Sequence, residues 1–237
     1  MLPYIAEFIG TAMLLLLGCG VCANVSLQKS GFKGAGMVMV TMGWGLAVLL
    51  PCFIFGAASG AHINPALTIS LAVAGKISWS IVPGYIVAQM AGAIVGAFLV
   101  WVLFKKHLDD EPDSYTKFRV FATDASIKCL PLNLLSEIVA TFVLVFGILG
   151  VNQVPGIAGG LSSLLVYGIL VSVGMSFGGL TGYAINPARD LGPRIIHAIM
   201  PIKNKQSSKW SYGLIVPIIG PIVGAVLAAL LYMAIPW

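Results

Sequence analysis

Two stretches of this chain, SGAHINPALT at 59–68 and TGYAINPARD at 181–190, set polar side chains among apolar ones in nearly the same order. Asn64 and Asn186 each precede a Pro-Ala pair, Pro65-Ala66 and Pro187-Ala188. Asn is a favoured helix N-cap, and Pro is favoured at the first helical position because its missing N–H costs nothing there. Both pairs therefore read as helix starts. When the side-chain oxygen of an Asn caps its own helix, the amide is fixed and its NH2 group is turned outward as a donor. Each helix N-terminus also carries about half a positive charge. Two such ends facing one another would offer hydrogen bonds to small neutral molecules and repel cations, protons included.

Glu7 and Glu137 are the carboxylates that fall inside apolar runs. A carboxylate there is costly and needs partners. Unpaired N–H groups of the segments before the two Asn residues could supply them; a proton-coupling pair, as in secondary transporters, is the alternative. His62 reads either as a pore-lining side chain or as a loop-stabilising hydrogen-bonding group. No Ser-His-Asp or Cys-His set, phosphate loop or usefully spaced acidic pair occurs, so an enzyme is not expected. His107 and His197 have no ligand-spaced partners, and neither a metal nor a cofactor is expected. Cys19-x-x-Cys22 lacks His or acidic neighbours and reads as membrane-buried thiols, while Cys52 and Cys129 add no paired framework.

The elements that carry these residues follow from composition. Of 237 residues, 59% are hydrophobic and 9% are charged, whereas a soluble domain carries roughly 25% charged residues. The chain is an integral membrane protein. It opens without a basic n-region, so the first apolar stretch reads as a retained span and not as a signal peptide. The net charge of +5 is scattered through loops and forms no nucleic-acid-binding stripe. Apolar runs near 3–25, 34–55, 81–104, 132–151, 157–178 and 211–235 each approximate the ~20 residues that cross a bilayer. The pieces 65–75 and 187–200 would reach only about 16–21 Å, half to two-thirds of the hydrocarbon. The loops before them, 56–63 and 179–185, are non-helical at membrane depth, which is tolerated only in protein or beside a wet cavity.

The chain repeats itself. AEFIGT at 6–11 matches SEIVAT at 136–141, HINPAL matches AINPAR, and GAIVGA at 92–97 matches GPIVGA at 220–225. The offsets are 130, 122 and 128 residues, in the same order in both halves. The unit has three full spans, so its second copy enters the membrane from the opposite side. The expected fold is an all-α membrane protein with six transmembrane helices in inverted three-helix repeats. Two half-helices meet at the midplane by their N-termini. Residues 1–104 with half-helix 65–75 form the first repeat, 132–237 with half-helix 187–200 the second, and 105–131 is a solvated connecting loop within one channel domain. Gly92/Gly96 and Gly220/Gly224 allow close helix approach near the pseudo-two-fold axis.

Two Asn-Pro-Ala boxes in inverted halves, with the flanking SGAHINPA and NPARDLGPR, resemble the major intrinsic protein family of aquaporins and glycerol facilitators. The resemblance covers essentially the whole chain. It implies a homotetramer with one pore per subunit, no cofactor and passive permeation, with the two boxes at the pore midpoint. It also implies a selectivity filter at Trp44, Gly174, Tyr183 and Arg189. Water-selective members present Phe, His, a small residue and Arg; glycerol-conducting members resemble Trp, Gly, Phe and Arg. This quartet is close to the glycerol type, as are Asp190 and Pro217-Ile218. Gly174 in place of an imidazole removes bulk, Trp44 and Tyr183 would form an apolar corner, and Arg189 would donate to hydroxyls. The expected permeants are glycerol and other small uncharged solutes with water, protons and ions being excluded. Tyr183 in place of Phe leaves open a pore tuned to water, hydrogen peroxide or a protonated small acid such as lactic acid. An ion-coupled secondary transporter is the reading from a different class.

Twelve of the thirteen Lys and Arg residues lie in the connections before the second, fourth and sixth spans, Lys76 being the other. The positive-inside rule would put that face in the cytoplasm. The resemblance puts it outside and the termini in the cytoplasm of a multi-pass cell-membrane protein. The resemblance is followed, because several of these charges sit in structured segments and Arg189 is assigned to the pore.

Overall fold

The computed structural model describes residues 1–151, 153–154, 157 and 160–237. Among them the secondary structure is helical, without strands. Six segments are long and apolar enough to span a membrane. They are built on α1 (Leu2–Ser26), α2 (Gly36–Ser59), α4 (Val82–Asp110), α6 (Leu130–Val151), α7 (Gly160–Thr181) and α10 (Val216–Ala234). The half-helices are α3 (Pro65–Val73) and α8 (Pro187–Ile199). Two short helices, α5 (Ser114–Phe121) and α9 (Trp210–Gly213), complete the order. The expected fifth span, 157–178, includes residues 158 and 159, which lie outside the described ones; its helix runs on to Thr181.

Close approach of α1 to α4 rests on glycine. A Cβ on Gly96 would stand 2.2 Å from the Ala12 carbonyl oxygen, and one on Gly224 of α10 would stand 2.2 Å from that of Ile138 in α6. Each repeat thus pairs its first and third spans backbone to backbone. The half-helices are exchanged between repeats. Ala66 and Leu67 of α3 pack with Val145 and Leu149 of α6 and with Ala225, Ala228 and Ala229 of α10. In return, α8 presses Gly192 onto Ala93 of α4, where an added Cβ would lie 2.5 Å from the Ala93 methyl. Neither half can bury its own short helix without the other.

The segment 105–131 departs from the expected solvated connector. Helix α4 continues to Asp110, its last polar turn braced by Lys105–Asp109 and Lys106–Asp110 pairs at i,i+4. Then α5 is capped by Asp113, whose carboxylate accepts from the Tyr115 and Thr116 amides and from the Thr116 hydroxyl at 2.7 Å. Those donors, the hydroxyl first, hold the Asp113 carboxyl below the usual carboxylate range. Helix α5 buries Phe118, Val120 and Phe121. Eight residues with alternating polarity are too short for a composition-based reading to separate from a loop. The Lys29–Asp110 ion pair at 3.0 Å and the Lys203 amide to Asp109 at 3.2 Å tie the three Lys-rich connections together on one face.

Candidate functional site

The two non-helical loops before α3 and α8 are built alike. Ala61 and Ile63 have φ of 46° and 44°; Tyr183 and Ile185, 122 positions on, have 38° and 46°. A left-handed φ is unfavourable for such side chains and persists only where surrounding contacts impose it. The buried carboxylates impose it. Glu7 accepts from the Ser59 hydroxyl (2.6 Å), the His62 and Ile63 amides (2.8 and 2.7 Å) and the Gln89 amide (2.7 Å). Glu137 accepts from the Thr181 hydroxyl (2.6 Å) and the Ala184 and Ile185 amides (2.9 and 2.8 Å). With the amides turned toward the carboxylates, the carbonyls of Ala61, His62, Tyr183 and Ala184 accept no hydrogen bond from any described residue.

The helix starts then face each other. The Asn64 side-chain oxygen accepts from the Ala66 amide at 2.9 Å and Leu67 at 3.5 Å, and that of Asn186 from Ala188 at 3.0 Å and Arg189 at 3.3 Å. Pro65 and Pro187 occupy the first helical positions. The amides are not both wholly free, as their outward reading implied. Asn64 donates one N–H to the Ile185 carbonyl (2.9 Å) and Asn186 one to that of Ile63 (2.8 Å). This reciprocal pair stitches the two N-termini together and leaves the second N–H of each amide for another acceptor.

Three cavities lie in series along these residues. A chamber of about 110 Å³ is bordered by Trp44, Tyr183 and Arg189, and also by His62, Asn64 and Asn186. It shares the first three with a chamber of about 70 Å³ reached by Met37, Arg119 and Thr123. It shares His62, Cys52 and Leu67 with a vestibule of about 550 Å³ on the opposite side. Trp44, Tyr183 and Arg189 thus stand where the passage pinches. The Arg189 guanidinium lies 3.9 Å from the Trp44 ring centroid, a cation–π contact that fixes both. The Trp44 indole N–H is spent on the Cys22 sulfur at 3.3 Å.

Gly174 adjoins the same place, but not as vacant space. A Cβ there would lie 2.9 Å from the Thr41 methyl and 3.1 Å from Tyr183 Cε2; one on Gly178 would lie 2.9 Å from Tyr183 Cδ1. The bulk that Gly174 omits is taken up by the Tyr183 ring. His62 joins both roles open to it. It borders two of the cavities, and its Nδ1 is 3.2 Å from the Thr68 hydroxyl.

Sequence reasoning did not find Ser59, Gln89 and Thr181, which share the two carboxylates, nor Arg194. Arg194 donates to Asp190 at 2.6 Å with both side chains fully buried, and also to the Thr123 and Ser208 carbonyls at 2.8 and 2.6 Å. Asp190 in turn accepts from the Thr123 amide and hydroxyl (2.8 and 2.6 Å). The available signal was the i,i+4 spacing of opposite charges on a short apolar helix.

Comparison with known proteins agrees with this geometry. The model of the family described as "Major intrinsic protein" matches residues 2–232. The chain is 51% identical over 229 residues to the "Probable glycerol uptake facilitator protein" of Thermotoga maritima, covering 97% of both. It is 48% identical over 236 residues to the "Glycerol uptake facilitator protein" of Bacillus subtilis, covering 99% of this chain and 85% of that one. Among solved structures it is similar to the aquaglyceroporin from Plasmodium falciparum, with a TM-score of 0.86 at 33% identity over 97% of this chain and 94% of that one. The carboxylate-pinned loops, paired Asn caps and interlocked half-helices sit in a chain matched from end to end, and this multi-pass membrane protein belongs to the major intrinsic protein family.

Proposed function

We propose that the protein is a passive channel for glycerol and other small uncharged solutes, with water as co-permeant. The observation that carries this reading is the pinch at Trp44, Tyr183 and Arg189, in series with the two Asn caps. It pairs an aromatic wall with a cation that can only donate hydrogen bonds. A polyol can lay its C–H groups on the rings and its hydroxyls toward Arg189. Further in, the unpaired carbonyls of Ala61, His62, Tyr183 and Ala184 offer acceptors, and Asn64 and Asn186 each keep one donor. The permeant exchanges water for fixed partners of both kinds. The positive ends of α3 and α8 meet at the same point, and with Arg189 they repel cations and protons. Glu7 and Glu137 support the loops. Their shells of donors suit fixed acceptors, a different task from the proton relay that an ion-coupled transporter requires. The reading includes a homotetramer with a pore in each subunit, in the cell membrane, with both termini in the cytoplasm.

Light-scattering of proteoliposomes in glycerol, in sorbitol and under a purely osmotic shock tests it. Glycerol should enter along its own gradient and reswell the vesicles without a proton current, while sorbitol should not. Fast water flow with glycerol excluded rejects the proposal, and uptake driven by a proton gradient favours the transporter class instead. In the same assay Arg189→Ala should admit sorbitol-sized solutes and raise cation leakage. An unchanged solute profile would remove Arg189 from the filter.

A further inference from the structure

Apart from the pore, a cavity of about 510 Å³ opens on the Lys-rich face, between the starts of the spans built on α6 and α10. Cys129, Leu130 and Asn133 border it on one side, and Ser211, Tyr212 and Ile215 on the other. Those are the positions at which the two spans enter the apolar layer, so the cavity sits at headgroup depth. Its volume falls within the ~300–1,000 Å³ of small-molecule sites. On from the cavity both helices expose apolar side chains, Leu135 and Val139 on α6 and Ile219 and Val223 on α10.

The charges around this space do not balance. Among the described residues Asp124 is its one carboxylate, and Lys209 takes that group in an ion pair. Lys128 also borders the cavity; it is exposed, and its ammonium has no partner among the described residues. Other lysines of this face are engaged. Lys29, Lys105 and Lys106 face carboxylates, and Lys117 and Lys205 donate to carbonyls. The Ser207 oxygen accepts from the Lys209 amide at 3.3 Å, which leaves the hydroxyl proton to give. The Ser211 hydroxyl bonds to no described residue. One free ammonium and two hydroxyls thus surround a space whose carboxylate is already neutralised, a donor set that suits an oxyanion.

We infer that this cavity holds the phosphate headgroup of an anionic phospholipid, its acyl chains running down over α6 and α10. A phosphodiester accepts from several donors at once and supplies the negative charge that Lys128 lacks. A free phosphate would leave the exposed apolar side chains below the cavity uncovered, whereas a lipid covers them. A zwitterionic headgroup brings its own cation and gains less from Lys128. Basic pockets between membrane helices recognise anionic lipids by this combination of charge and depth.

The test is native mass spectrometry of the detergent-purified channel titrated with phosphatidylglycerol or phosphatidylcholine. Phosphatidylglycerol should bind more tightly, and equal affinity overturns the inference. Lys128→Gln should weaken phosphatidylglycerol about fivefold, the usual worth of one basic residue at an anionic membrane surface, and leave phosphatidylcholine nearly unchanged. Lys106→Gln removes another exposed lysine of the same face and should change either lipid by less than about twofold. Equal losses in the two variants would mean a diffuse surface field and overturn the inference. Ser211→Trp fills the cavity while keeping every charge, and should cost phosphatidylglycerol at least as much as Lys128→Gln; unaltered binding overturns the inference. Glycerol phosphate should not displace the lipid, and full displacement would make this a site for a free phosphate instead. Dissociation of the assembly in Ser211→Trp would mean that a second copy of the chain fills the cavity in place of lipid, which overturns the inference as well.

Discussion

Arg194→Leu is expected to lower the unfolding temperature of the purified channel in detergent by roughly 6–20 °C, followed by tryptophan fluorescence. The Asp190–Arg194 pair has no solvent exposure on either side. Removing one partner leaves a buried charge uncompensated, which costs about 3–5 kcal/mol. For a chain of this size about 1 kcal/mol corresponds to roughly 2–4 °C. Arg194 also holds the Thr123 and Ser208 carbonyls, so the segment after α5 and the loop before α9 should loosen together. Arg194→Lys should rescue little, because an ammonium cannot match the fork that reaches Asp190, Thr123 and Ser208 at once. The double variant Asp190→Asn with Arg194→Leu should be more stable than the two single effects summed, since the stranded carboxylate is gone. A fall of less than about 2 °C in Arg194→Leu would mean that this pair contributes only what a surface ion pair does.

The second large effect is on permeation. Gly174→His should reduce glycerol flux about tenfold or more while water flux falls much less, read by stopped-flow light scattering on the same vesicles. The pinch has no slack: even a Cβ would come within 3.1 Å of Tyr183 and 2.9 Å of Thr41. The ring must then move off α7, and the unfilled direction is toward the chambers. Overpacking of this kind costs about 1–3 kcal/mol, a factor of about 5 to 150 if it falls on the permeation barrier. Water, a smaller molecule with no C–H face to accommodate, should feel less of it. Equal losses of water and glycerol would argue that Gly174 lies outside the filter and that the substitution simply disturbs packing.

Both expectations depend on contacts that a linear reading could not supply. The family resemblance implied that Gly174 removes bulk from the filter; in the folded chain it seats the Tyr183 ring. Asn64 and Asn186 were expected to present free amides, and each instead gives one N–H to the loop of the other repeat. Gln89 and Thr181 carried no signal at all as partners for Glu7 and Glu137, because amide and hydroxyl groups in apolar helices look the same wherever they point.

The sequence by itself determined the membrane class, the six spans, the truncated pair of helices and the inversion between halves. These depend on run lengths, on Asn-Pro capping chemistry and on counting spans, all of which are local or additive along the chain. Only the tertiary structure decided which donors surround each buried carboxylate, what fills the notch at Gly174, and that 114–121 is a helix packed under the Lys-rich face. Those outcomes depend on how closely the helices approach when the repeats interlock, and hydrogen bonding and van der Waals contact act over a few ångströms between residues as far apart as Glu7 and Gln89, or Asn64 and Ile185.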